Sequence, residues 1–186
     1  MKLRLAIYAV LACTAVMPAL GAQWNVDHTK SRLGFSVLWS GQSFEAAFKS
    51  WKADIQFDPA DLVHSHANVT IDLGSETSAS PDNDDGLKGA EGFSVTQFPS
   101  ARFETTSFAA KGGNNYLATG QLTLHGVSKP VVLPFALTIS GNSAHMTGKT
   151  VVLRTDFGLG KGEWASPATV AHEVAITVDL TATKSH

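Results

Sequence analysis

The chain has 186 residues, 44% of them hydrophobic and 16% charged, with 14 Lys and Arg against 16 Asp and Glu. That composition supports one cored domain, and a net charge of −2 without a basic cluster argues against a nucleic-acid surface. The single cysteine, Cys13, lies in the N-terminal apolar run, so thiol catalysis and a disulfide scaffold are excluded for everything after it.

Lys2 and Arg4 precede an uncharged apolar run from Leu5 to Pro18, and the small residues of Ala19-Leu20-Gly21-Ala22 follow. A positive start, an apolar core and a small-residue exit predict a cleaved export signal over residues 1–22 and one domain over 23–186. A membrane span would need about twenty apolar residues. Val10-Leu11-Ala12-Cys13 has a faint likeness to a lipoprotein box, but the apolar run continues through Val16 and Met17, against lipidation. Cleavage after Ala22 leaves 164 residues and removes two basic side chains and no acidic one, taking the net charge from −2 to −4.

Trp24 and Val26 alternate at the start of the domain. Leu33, Phe35, Val37 and Trp39 then alternate with Gly34, Ser36 and Leu38, the period-two pattern of a strand with one buried face. A turn follows around Gly41. Phe44, Ala46 and Phe48 fall on even positions, whereas Trp51, Ala53, Ile55 and Phe57 fall on odd ones. This change of phase predicts a bulge or bend within one continuous strand from Phe44 to Phe57. Asp58-Pro59-Ala60-Asp61 reads as a turn, and Ala67, Val69, Ile71 and Leu73 as the next strand.

From Ser78 to Pro99 the alternation fails, and Ser80-Pro81-Asp82-Asn83-Asp84-Asp85-Gly86 is polar and turn-rich. Acidic residues early in the segment predict a short helix between Asp82 and Glu91, with Phe93 and Phe98 as apolar anchors. A long insertion without strand pattern suits a lid. Strand character resumes at Ala101, Phe103 and Thr105, and Gly112-Gly113-Asn114-Asn115 forms a turn.

Tyr116, Ala118, Leu122 and Leu124 share one parity, and Val131, Leu133, Phe135, Leu137 and Ile139 share another. The residues between, Gly126 and Lys129-Pro130, are turn formers, so the two runs predict a long hairpin. Val151, Leu153 and Phe157 mark a further strand before Gly158-Leu159-Gly160-Lys161-Gly162, and Val174, Ile176, Val178 and Leu180 mark the last. About eight strands with short turns give an all-β chain: a sandwich or a closed antiparallel barrel. Closure removes exposed edges, and an eight-stranded barrel either fills its interior or holds one small ligand.

Four ordered stretches resemble signatures of the YceI family of exported lipocalin-like proteins. They are Asp27-His28-Thr29-Lys30-Ser31, Phe98-Pro99-Ser100-Ala101-Arg102-Phe103, the hairpin from Gly120-Gln121-Leu122 to Lys129-Pro130-Val131, and Arg154-Thr155-Asp156-Phe157-Gly158-Leu159-Gly160. Gly160-Lys161-Gly162-Glu163-Trp164 and Gly89-Ala90-Glu91-Gly92-Phe93 resemble a narrower branch, associated with cytochrome b561-type membrane proteins. A longer His-Leu-Lys/Arg helix motif of other members is reduced here to Gly86-Leu87-Lys88. The resemblance implies an eight-stranded lipocalin-like barrel with a short helical lid. It also implies a periplasmic carrier of a long isoprenoid lipid or ubiquinone-like quinone that breaks no bond. The alternative is an accessory protein that docks to a cytochrome b561-type protein through residues 78–99 without carrying a ligand. A homodimer also fits the family, and beyond the bound lipid or quinone no cofactor is expected.

On that reading the expected ligand-binding residues are Phe35, Val37, Phe48, Ile55, Val69, Ile71, Phe93, Phe98, Phe103, Leu122, Leu124, Leu133, Phe135, Phe157, Val174 and Ile176, with Arg154 and Trp164 near one mouth. Parity shows which of them share a face but not which face is inside. Arg154 has two readings: a cation for a pyrophosphate or quinone oxygen, or a structural ion pair with Asp156 or Asp27. Trp164 either closes a barrel mouth by stacking or packs on the sheet. His28 is an inside polar contact or a cap, and His172 an exposed strand position. His64 and His66, two apart, would share a strand face, but no third ligand completes a metal site. The chain has no Gly-x-Ser-x-Gly elbow, phosphate-cradling glycine loop or His-Glu-x-x-His, so binding is expected rather than catalysis.

Overall fold

The computed structural model describes residues 22–78 and 80–185; residues 1–21, where most of the predicted export signal falls, lie outside the described residues. Eleven strands follow in order: β1 (Gln23–Val26), β2 (Arg32–Trp39), β3 (Gln42–Phe48), β4 (Trp51–Gln56), β5 (His66–Asp72), β6 (Glu76–Thr77), β7 (Ser100–Gly112), β8 (Asn115–Leu124), β9 (Val127–Ser140), β10 (Ser143–Leu153) and β11 (Val170–Lys184). One helix, α1 (Pro81–Lys88), lies between β6 and β7.

The sheet runs β1-β4-β5-β7-β8-β9-β10-β11 and closes by pairing β1 with β11, which makes an eight-stranded antiparallel barrel. β11 is long enough to hold two partners. Its end, Ala182–Lys184, pairs with β1, while Val170–Asp179 pairs with β2. From there a second branch, β2-β3-β6, extends the wall. The barrel therefore has a lower section where β1 and β4 complete the wall and an upper section where one side is the β2-β3-β6 branch. α1 and the segments around it cover that side.

The predicted single strand from Phe44 to Phe57 is two strands, broken at Lys49 and Ser50 where the phase changes. Their N–H groups donate to Ser75 O (3.1 Å) and Ser75 Oγ (3.0 Å), so the chain changes partner there, from β6 to β5. The helix also differs from its predicted span, starting at Pro81 and stopping at Gly89, whose backbone is extended. Pro at the first turn and Asp82 and Asp84 beside the positive helix end set the start. Leu73 leaves the strand pattern for a 3₁₀ turn, as do Arg154 and Phe157.

The central hairpin turns at His125 and Gly126, with φ of 52° and 75°. Two successive positive φ values make the tight turn that suits twisted strands, and glycine enters that region without strain. Lys129 and Pro130 are not turn residues; they sit within β9 opposite Leu122 and Gln121. β10 begins earlier than predicted, at Ser143, and its predicted markers Val151 and Leu153 face outward.

Candidate functional site

The barrel interior is not filled. An apolar cavity of about 180 Å³ occupies the lower section and another of about 120 Å³ the upper, and neither presents a polar atom to its interior. Leu33, Ile71, Leu122 and Ile176 line both, so the two compartments lie end to end. An apolar void of roughly 150 Å³ stays dry and admits benzene, a size that the lower compartment exceeds and the upper one approaches.

Seventeen of the eighteen expected residues are in these walls. Ile55, Val69, Phe103, Leu133 and Phe135 line the lower compartment with the four shared side chains. Phe35, Val37, Phe48, Phe93, Leu124, Arg154, Phe157, Trp164 and Val174 line the upper. Phe98 does not line either. Its ring packs on His125, centroids 4.3 Å apart, and it sits against Gly126, so it braces the hairpin turn from outside. The sequence reading left out Trp24, Leu33, Trp51, Phe57 and Phe108, which line the lower compartment; Leu33, Trp51 and Phe57 shared parity with residues that were chosen.

Aromatic rings close both ends. Below, Phe57 meets Phe108, Tyr116 and Phe135 at 5.1, 5.5 and 6.1 Å, and Tyr116 stacks on Phe135 at 5.4 Å. Trp24 adds its indole N–H, which donates to Phe57 O at 3.0 Å. Above, Phe93 packs on Phe35 and Phe48 (5.9 and 6.0 Å), and Trp164 on Trp39 (4.8 Å). Trp164 meets Trp39 of β2 edge-on, so it packs on the sheet while lining the upper compartment. Leu87 of α1 and Phe93 beyond it are both buried, so the non-periodic segment covers the cavity with Leu87 and with one of its two predicted anchors, Phe93.

Arg154 takes neither of its predicted roles. It is 5% exposed, and its guanidinium donates to five backbone carbonyls: Nε to Ala171, Nη1 to Leu159 and Gly160, Nη2 to Trp164 and Val170, at 2.6–3.3 Å. An arginine has five N–H donors, so none remains for a ligand oxygen. Asp156 and Asp27 form no ion pair with it among the described residues. Burial lowers its pKa from the usual arginine value. What Arg154 does is tie the 159–171 loop into one cap over the upper compartment. Gly160 is required beside it, because a Cβ there would fall on the guanidinium.

Glu76 is the other buried charge-bearing group, 2% exposed, and neither carboxyl oxygen has a hydrogen-bond partner among the described residues. Burial, then the charge of Asp84, push its pKa from 4.5 up to about 7, against a smaller opposing effect of Lys88. Asp84 is also buried, which favours its neutral form, but the Ser78 hydroxyl and N–H donate to it and hold its pKa down. A protonated Glu76 beside an ionised Asp84 thus sits where β6 meets the lid helix.

The histidines hold no metal cluster among the described residues. His64 precedes β5 in a loop, not on a strand face with His66, and its Nδ1 bonds Asp61 at 2.8 Å. His28 meets Trp51 edge-on at 4.4 Å, on the outside of a cavity wall. His172 is half-buried rather than exposed.

The YceI-like domain family matches residues 24–182. A UPF0312 protein of Shewanella denitrificans is 30% identical over 158 residues, spanning 81% of this chain and 79% of that one. A UPF0312 protein of Vibrio parahaemolyticus is 27% identical over 154 residues, spanning 80% and 78%. Among solved structures, Burkholderia cenocepacia BcnA is similar with a TM-score of 0.82 and 33% identity, covering 86% of this chain and all of that one. A polyisoprenoid binding domain from Saccharophagus degradans is similar at a TM-score of 0.67 and 16% identity, covering 89% and 99%; at that identity the likeness is one of fold.

Proposed function

The chain belongs to the YceI family, and from that we propose that it is an exported, periplasmic carrier that holds a long isoprenoid chain along its two compartments. The observation that carries the reading is the pair of adjoining cavities, apolar on every interior surface. A polyprenyl tail is insoluble, and each buried methylene gains about 0.8 kcal/mol. The fold shared with a polyisoprenoid binding domain supports the same ligand class.

Because every donor of Arg154 is committed to backbone carbonyls, no guanidinium is left to pair with a pyrophosphate. The head group is therefore taken to be uncharged, a quinone or a prenol, and held outside the apolar interior. Leu87 and Phe93 are spent on the cavity, which places carriage ahead of docking to a membrane cytochrome through residues 78–99. Mass spectrometry of the protein taken from its native periplasm, before and after organic extraction, tests the reading. A stoichiometric species whose fragments step by isoprene units is expected. A clean unliganded mass together with no uptake of an added prenylated benzoquinone would sink it.

A further inference from the structure

The barrel wall is laced unevenly. β10 pairs with β11 as far as Leu153, and β9 pairs with β8 from Val127 onward. Between β9 and β10 the ladder stops at Phe135 opposite Gly148. Residues 127–134 and 149–153 are thus neighbouring stretches without ladder bonds to each other.

Two prolines account for this. Pro130 and Pro134 share parity with Val132, whose carbonyl accepts from Thr150 Oγ1 across the gap at 2.8 Å. On a strand, N–H and C=O of one residue point the same way, so the donor-less nitrogens of both prolines face β10. Proline within a sheet is confined to places where no ladder bond is needed. Beyond the last ladder pair, the Thr150 hydroxyl is the side-chain hydrogen bond that joins the two stretches.

The seam opens onto apolar surface on both sides. Inside, Val131 and Thr150 line the lower compartment and Val152 the upper. Outside, Val132, Val151 and Leu153 are 44%, 56% and 42% exposed, three of the few large hydrophobic residues on the surface. A shallow outer depression of about 490 Å³, bounded by Pro134, Gly148 and Lys149, lies at the point where the ladder ends and shares Phe135 with the lower compartment. The ends of the barrel are better fastened, by ring packing below and by the Arg154 bonds and the lid above.

We propose that the β9–β10 seam is a side portal, through which the apolar chain of the ligand passes between solvent or lipid and the cavity, while the two ends stay shut. This rests on the carrier reading. Opening the seam sacrifices the Thr150 bond and at most the end of the ladder rather than a full ladder, and local opening follows the weakest-bonded segment. The exposed aliphatic residues keep the passing chain in contact with hydrocarbon.

The domain after the leader has no cysteine, so a seam lock adds the sole thiols. Continuing the β9–β10 register puts Val132 opposite Val151, and the 2.8 Å bond from Thr150 Oγ1 to Val132 O holds the two stretches close at this point, so a disulfide is introduced there. Uptake of a farnesyl-tailed benzoquinone from phosphatidylcholine vesicles would be followed by quenching of tryptophan fluorescence in wild type and in V132C/V151C. Oxidation of the pair is expected to slow uptake roughly tenfold or more, with recovery on reduction. As a lock without thiols, P130T/P134T restores two donors facing β10 and is expected to slow uptake several-fold. Unchanged rates in both variants would overturn the portal. No uptake by the wild type would overturn the carrier reading, and the portal with it.

Discussion

The lower and upper compartments hold the same kind of surface and are built by opposite means. The lower one is enclosed by regular antiparallel strands whose side chains alternate in and out, and it ends on a plug of four aromatic rings. Its integrity rests on hydrophobic area and ring packing, which are forgiving of detail. Over the upper compartment the wall is short on one side, and irregular segments make up the deficit. Irregular backbone has carbonyls with no ladder to satisfy them, so a buried arginine gathers five of them into one cap. A dry cavity can therefore be closed by polar bonds as well as by apolar packing, provided those bonds lie behind the lining. The two constructions fail differently.

The largest effect is expected at that cap. Arg154→Leu would strand five carbonyls in a buried site, at a cost of about 4 kcal/mol or more, since each unmade bond costs on the order of 1 kcal/mol. Urea unfolding should show it as a lower midpoint. Arg154→Lys should recover little, because an ammonium has three donors and no fork. Full stability in the lysine variant would mean that charge, not the number of donors, holds the cap. At the lower end, Phe135→Ala removes a ring that meets Phe57, Phe108 and Tyr116. A loss of about 3 kcal/mol is expected from transfer and cavity costs, with the lower compartment enlarged. The variant should then accept a longer prenyl tail than the wild type, which competition between prenols of graded length would reveal. An unchanged preference would show that the aromatic plug does not set the length of the chain.

This division also governs what could be read from residues alone. The lower wall follows period two, and Ile55, Val69, Ile71, Phe103, Leu122, Leu133 and Phe135 were placed on common faces because strand parity has no other geometry available to it. Trp24 and Phe57 obey the same rule. In the upper wall the strand residues Phe35, Val37, Phe48, Leu124 and Val174 were legible by the same alternation, but the irregular cap only in its apolar anchors: Phe93 inside an insertion without pattern, and Trp164 in a glycine-rich loop. Arg154 shows the limit. Its position at the end of an apolar run marks it as a cation needing partners, but five carbonyls from a loop up to 17 residues away leave no trace in local sequence. A carboxylate was therefore the natural partner to expect. Pro130 misled for a related reason, since proline signals both a turn and an unlaced strand edge, and only the register of β8 against β9 separates the two.

Two carboxyl groups, one from the lid side and one from the regular wall, sharpen the contrast through pH. Glu76 has a folded pKa of about 7 against 4.5, so the native state binds the extra proton between those values and stability falls as pH rises from about 4.5 to 7. The loss is of the order of 3 kcal/mol, and it should appear as a falling urea midpoint that Glu76→Gln flattens. A midpoint that rises with pH over that window would contradict a buried neutral acid. Asp27 behaves with the reverse sign and a smaller effect. It caps the bend between β1 and β2, where the Thr29 hydroxyl and then Lys30 lower its pKa from 3.8 to about 2. The stability it adds is present above pH 3.8 and is lost as pH falls towards 2. Asp27 is solvent-exposed, so water and salt screen its contribution. Asp27→Asn should lower the midpoint slightly at neutral pH and converge on the wild type as pH falls towards 2. If that variant instead flattened the slope between pH 4.5 and 7, the titrating group would belong to the barrel wall and not to the lid.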